Sequence, residues 1–194
     1  KRQLLASLRL NGFSEKILNA FSNVKRENFI PKKLKKRAYE DTALPIGEDQ
    51  TISQPYTIAI MLSMLELEKT QKVLEIGSGS GYVLALLSEI LGKEGEIYGI
   101  ELVKDLYEKS LDNLKLYKNI GILNRNGING MPERAPFDRI LISAASEKGI
   151  PKSLVKQLKI GGILVAPVGN RFEQSLVSLK RTKSGIIKRE IPGF

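Results

Sequence analysis

The 194-residue chain has no cysteine, no histidine and no tryptophan. Without cysteine there are no disulfides, no thiolate metal sites and no thiol nucleophile. Without histidine there is no imidazole base, no Ser-His-Asp triad and no imidazole metal ligand. No metal is expected. No apolar run approaches the roughly 20 residues of a membrane span, so no membrane association is expected either. The apolar part of Lys1 to Leu10 is too short for a secretion signal, which makes the cytoplasm the expected location. Chemistry is left to carboxylates, hydroxyls, lysines, backbone groups or a cofactor.

The apolar share is 42% and the charged share 27%, an ordinary globular composition. A chain of this length buries roughly 70% of its unfolded surface and needs no metal or disulfide staple. One domain over residues 1–194 is expected, with 1–54 as an N-terminal helical and substrate-loop region and 55–194 as a cofactor-binding core. Lysine and arginine number 31 against 21 acids, a net charge of +10. Part of the excess is local: Lys25 to Arg37 carries seven cations and one acid, Glu27. Such a stretch favours anionic partners, and it equally serves solubility.

Leu4, Leu5 and Leu8 recur at helical spacing, and Ser14 suits the N-cap of a helix from Glu15 to Phe21. Asp41 to Gln50 reads as an exposed loop or short hairpin punctuated by Pro45 and Gly47. From Pro55 onward helix and strand alternate. Helices are expected over Tyr56–Leu67, Gly81–Leu91, Lys104–Leu116 and Pro151–Leu158. Strands are expected over Lys72–Ile76, Glu96–Ile100, Gly121–Leu123, Phe137–Ser143 and Gly162–Pro167. Gln174–Lys180 and Ile186–Ile191 flank Ser184-Gly185 as a closing hairpin. This alternation gives an α/β class with a doubly wound, mostly parallel sheet made mixed by the hairpin.

VLEIGSGSGY (Val73 to Tyr82) follows one of these strands and opens a helix. Gly77 allows a sharp turn, Gly79 lets a ligand approach the backbone, and Gly81 permits tight entry into the helix. The dinucleotide fingerprint places its third glycine one residue later, where Tyr82 stands. The variant suits a cofactor with an adenosine and an amino-acid tail, S-adenosylmethionine; the bland alternative is a tight turn without ligand. Glu101 closes the next strand, 24 residues after Gly77. A carboxylate there can accept both ribose hydroxyls, or merely start the following helix. Glu75 can meet the methionine portion of the cofactor, or be an edge-facing structural acid. Asp138 reads as a turn or cap residue, and Ala144 and Ala145 leave room for substrate or cofactor.

Taken together, AYEDTALPIGEDQTISQPYTIAIML (Ala38 to Leu62), LEIGSGSGY, IYGIE (Ile97 to Glu101), PFDRILISAA (Pro136 to Ala145) and LVKQLKIGGILVAPVG (Leu154 to Gly169) resemble the protein-L-isoaspartate O-methyltransferase family. RENFIP (Arg26 to Pro31) fits as well. The most specific of these is QTISQP (Gln50 to Pro55) beside LPIG. The resemblance implies a seven-stranded Rossmann-like methyltransferase fold with an N-terminal helical addition. It implies methyl transfer from S-adenosylmethionine, leaving S-adenosylhomocysteine, to the free α-carboxylate of L-isoaspartyl residues in damaged proteins and peptides. The ester then collapses to a succinimide, which initiates repair. By the same resemblance Ser53 belongs to the active site, Thr51, Ile52, Ser53 and Gln54 to the substrate contacts, and Glu75, Gly77, Ser78, Gly79, Gly81 and Glu101 to the cofactor contacts. The family's G-D-G segment corresponds to Arg125, Asn126 and Gly127, so Asn126 replaces an acid at the adenine. Its amide oxygen remains an acceptor but lacks charge assistance. Tyr56 stands where the family often has a histidine.

The missing imidazole and thiol are compatible with this reaction. A carboxylate with a pKa near ~3.9 is already ionised at neutral pH and attacks a methyl without a general base. The work is positioning, and Ser53 can donate a hydrogen bond that orients the acceptor. Read without the resemblance, Ser53 is equally a helix N-cap before Pro55. Asp41, Asp49 and Thr51 can shape the cleft or simply bond within the loop. Competing readings are another peptide-carboxylate methyltransferase, a nucleic-acid methyltransferase prompted by the charge, and a binding-only module. Nucleic acid is disfavoured: there is no D/N-P-P-Y/F motif, no cysteine, and no aromatic within the Lys32–Arg37 cluster. A monomer is expected.

Overall fold

The computed structural model describes residues 1–144, 149–170 and 173–193. Its main sheet has seven strands: β3 (Lys72–Ile76), β4 (Glu96–Glu101), β5 (Ile120–Asn124), β6 (Phe137–Ile142), β7 (Leu158–Gly169), β8 (Gln174–Thr182) and β9 (Gly185–Pro192). Their order across the sheet is β5-β4-β3-β6-β7-β8-β9, parallel from β5 to β7 and antiparallel beyond. The winding reverses between β3 and β6. A crevice therefore opens at their carboxyl ends, the usual ligand position in such sheets.

Alternation along each strand fills two cores. Val73, Ile97, Leu141, Ile163 and Val165 join the apolar cluster of the first five helices, α1 (Arg2–Leu10), α2 (Glu15–Asn23), α3 (Pro55–Met64), α4 (Tyr82–Leu91) and α5 (Lys104–Leu114). Leu74, Ile100, Ile140, Ile142, Leu164 and Ala166 join the smaller cluster with Met131 and Leu154 of α6 (Lys152–Lys156). Among the described residues, that second face carries a short helix and 3-10 turns over Gly127–Asn129 and Pro132–Arg134.

The expected hairpin forms as β1 (Leu44–Gly47) and β2 (Gln50–Ile52), a separate two-stranded sheet. Glu48 and Asp49 both have φ of 53°, as a two-residue turn between twisted strands requires. Helix α3 ends at Met64, short of the expected Leu67, because Arg139 of β6 donates to the carbonyls of Leu65 and Glu66. Strand β7 begins at Leu158 rather than Gly162, and its register against β6 slips between Phe137 and Arg139. The preceding helix shrinks to Lys152–Lys156. Ser14 holds the N-cap position of α2 without a side-chain bond.

Gly81 joins the glycine loop to α4 at φ +88°, and a Cβ there would lie 2.5 Å from Leu114 Cδ1. Both the left-handed backbone and the contact oppose any side chain. Gly81→Ala is expected to lower stability by about 2 kcal/mol or more, read as a lower urea midpoint; an unchanged midpoint would show that α5 yields freely.

Candidate active site

At the crevice, the strand ends and the hairpin enclose a cleft of about 290 Å³, near the lower end of the roughly 300–1,000 Å³ typical of ligand pockets. Gly77, Glu101, Asn126, Gly127, Ser143 and Ala144 come from the carboxyl ends of β3, β4, β5 and β6. Ile46, Gln50 and Thr51 of the hairpin cover it. Beside it lies a niche of about 40 Å³, lined among others by Thr51, Ile52, Ser53, Glu75, Gly77 and Ser143. Thr51, Gly77 and Ser143 border both spaces.

Backbone geometry explains the glycines. Gly77 turns at φ +79°, and a Cβ there would sit 3.1 Å from Ala144 Cβ. Its N–H and that of Ser78 donate to the Ile100 carbonyl, locking the loop across β4. At Gly127 a Cβ would fall 2.4 Å from Ile76 Cγ2, so only glycine lets that turn approach β3. The Glu101 carboxylate is buried and accepts the Gly79 N–H at 2.6 Å and the Val103 N–H at 2.8 Å. Asn124 Nδ2 donates to the carbonyls of Glu101 and Leu102, which fixes the turn carrying that acid.

The profile of the family described as Protein-L-isoaspartate(D-aspartate) O-methyltransferase matches residues 1–192. The chain belongs to this family. It is 41% identical over 198 residues to the protein-L-isoaspartate O-methyltransferase of Ignicoccus hospitalis, covering 99% of this chain and 93% of that one. It is 45% identical over 188 residues to the Methanosarcina mazei relative of the same name, covering 95% and 76%. Among solved structures, a protein-L-isoaspartate O-methyltransferase superposes at TM-score 0.89 with 27% identity, covering all of this chain and 64% of that one. A Plasmodium falciparum structure described as the same methyltransferase, in complex with S-adenosyl-L-homocysteine, superposes at 0.85 with 28% identity over 99% and 94%.

Within this methyltransferase-family fold, β3 is a central strand, so Glu75 is not an edge acid. It is 1% exposed; Ser143 Oγ donates to its Oε1 at 2.6 Å, and its Oε2 has no partner among the described residues. Burial pushes its carboxyl up from 4.5 to about 8, opposed by the Ser143 bond and assisted by the charge of Glu101. The folded state thus holds this proton more tightly than the unfolded chain. Its contribution to stability is complete below about 4.5 and fades as pH rises to about 8. Glu75→Gln is expected to flatten that part of the profile, measured as thermal midpoint against pH; parallel profiles for parent and variant would contradict it.

Ser53 lies one residue before the N-cap of α3, which is Gln54, so it does not cap that helix. Asp41 supplies the cap instead, accepting the Tyr56 N–H at 2.8 Å. Gln54 donates to Asp41 at 3.2 Å and accepts from Thr57 at 3.5 Å, and it does not line the niche. Ser78 Oγ is buried without a partner among the described residues and lies against Gly99, and Ser78 borders the niche rather than the larger cleft. Asn126 lines the cleft, but its Oδ1 already accepts the Ile128 N–H at 2.9 Å. Asp138 is structural, accepting from Lys72 N–H at 2.8 Å and Lys159 Nζ at 2.9 Å. The position of Ala145 lies outside the described residues. Ser143 and Ile46 escaped the sequence reading. A serine ending the apolar run of β6 was the available signal for the first; Ile46 gave none, because the hairpin's place over the glycine loop is a tertiary fact.

No helix among the described residues is long and apolar enough to cross a membrane. Among the same residues, no group of three or more His, Cys, Asp or Glu is placed to hold a metal.

Proposed function

We propose that this chain transfers a methyl group from S-adenosylmethionine to the α-carboxylate of L-isoaspartyl residues in damaged proteins and peptides. The observation that carries the reading is the meeting of the Thr51–Ser53 segment with the glycine loop and Glu75 in one niche beside the cleft.

The cleft fits the cofactor by its donor set. Glu101 has both carboxylate oxygens anchored by backbone N–H groups, leaving further lone pairs for a ribose diol. In the adjoining niche, the Glu75 Oε2 suits a cationic amino group, whose charge would draw off the proton that burial otherwise retains. Leu102 and Ile128 give apolar walls for an adenine, and Asn126 has one Oδ1 lone pair and its amide left for the ring edge. The bound cofactor supplies an electrophilic methyl on its sulfonium.

The chain's own residues supply placement. Ser53 donates a hydrogen bond to the acceptor carboxylate from the niche side. One neutral donor orients the anion without quenching its nucleophilicity. Ile52 pairs with Leu44 in the hairpin, so the segment bearing Ser53 is held by backbone bonds rather than left as a free loop. No proton has to be removed, which agrees with a site free of imidazole and thiol.

The test is fragmentation mass spectrometry of an isoaspartyl peptide incubated with the protein and S-adenosylmethionine. The expected product carries one methyl on the α-carboxylate of the isoaspartyl residue, labile to base. A stable methyl on another residue would overturn the reading.

A further inference from the structure

Among the described residues Arg26 is the largest fully buried side chain, 0% exposed, and it forms no salt bridge with any of them. Its Nη1 donates to the Ser53 carbonyl at 3.0 Å and its Nη2 to the Thr42 carbonyl at 3.2 Å. Its guanidinium lies over the Tyr82 ring, 5.3 Å from the centroid, and Nε has no partner among the described residues. Burying a cation whose direct partners are neutral is costly even with the Asp41 charge offsetting part of it, and a purely structural staple is served as well by an apolar side chain.

The two carbonyls are not arbitrary. Thr42 lies two residues before β1 and Ser53 immediately follows β2. The fork therefore closes the base of the hairpin that roofs the cleft. Tyr82 is the first residue of α4, directly after the glycine loop, and it packs edge-on against Phe21 and Phe29. Tyr82 and Ser53 both line the niche. At the far end of the same hairpin, Ile46 Cδ1 lies 3.2 Å from the Cβ position of Gly79. One guanidinium thus ties the segment carrying Ser53 to the loop that meets the cofactor.

We infer that Arg26 is a positioning residue for methyl transfer, acting through the Ser53 main chain to register the hydroxyl against the glycine loop. The inference rests on the proposed role of Ser53. A planar fork reaches two carbonyls at fixed spacing, whereas an ammonium is a point donor. A misplacement of about 1 Å in a positioned group lowers turnover on the order of a hundredfold.

The experiment compares the parent with Arg26→Lys, Arg26→Gln, Leu8→Ala and Ser53→Ala, below all melting transitions. Leu8→Ala loosens the packing of α1 at a residue that lines neither the cleft nor the niche. Steady-state kcat and KM for an isoaspartyl peptide are read beside the equilibrium Kd for S-adenosylhomocysteine. Both Arg26 variants are expected to lose at least about tenfold in kcat/KM for peptide with a Kd within about twofold, while Leu8→Ala keeps both constants. The neutral Gln variant buries without a charge and decides the matter where the Lys variant does not fold. Overturning results are an unchanged kcat/KM in the Arg26 variants, or equal losses in Leu8→Ala. If Ser53→Ala is also unimpaired, the proposed role of Ser53 fails. If it is impaired while the Arg26 variants are not, only the positioning role fails.

Discussion

Ser53→Ala is expected to lower kcat for an isoaspartyl peptide about a hundredfold, with the Kd for S-adenosylhomocysteine unchanged. The magnitude is that of removing one preorganised donor from a reaction whose catalysis is placement. The separation follows from geometry: Ser53 borders the small niche but not the larger cleft, whose walls include Glu101 and Asn126. The fold has no reason to fail, because the Ser53 bond that matters structurally is its carbonyl to Arg26. Stopped turnover assays and isothermal titration on the same preparation read both quantities. Retained turnover would remove Ser53 from the reaction, and a weakened Kd would place it against the cofactor instead.

Glu101→Gln is expected to act in the opposite direction, raising the Kd for S-adenosylhomocysteine roughly ten- to a hundredfold. The carboxylate presents one oxygen to the Gly79 N–H and the other to the Val103 N–H. An amide can accept only one of these and turns its own NH2 toward the second, a buried donor facing a donor. Losing one charge-assisted bond costs about 1.5–3 kcal/mol, and each ~1.4 kcal/mol is tenfold in affinity. The ribose contact weakens together with the loop that frames it. Glu101→Ala removes both acceptors and is expected to be at least as severe. An unchanged Kd in either variant would detach Glu101 from cofactor binding, and the apo melting temperature separates loop damage from lost contact.

The parts of this site carried by backbone constraint were legible in the sequence. A strand followed by glycines at 77, 79 and 81 admits few conformations, and all three have positive φ. The acid closing the next strand falls opposite that loop because β3 and β4 pair in parallel, so spacing alone places Glu101. Long-range side-chain partners were not legible. Gln54 is singled out by its motif, but its bond to Asp41, thirteen residues earlier, is set by tertiary structure. Arg26 looked like one more cation in a basic stretch, while its neighbours Lys32 to Arg37 stay at the surface. Burial separates these cases, and no local pattern distinguishes a buried arginine from an exposed one. The length of β7 was missed for a related reason: the register slip beside Phe137 is set by the partner strand, not by the residues of β7.

Methyl incorporation from labelled S-adenosylmethionine into two peptides differing in a single linkage, L-isoaspartyl or L-aspartyl, tests the central claim most directly. Base-labile label in the isoaspartyl peptide alone is the expected result. Label in both peptides at equal rates, or in neither while the cofactor binds, would contradict it.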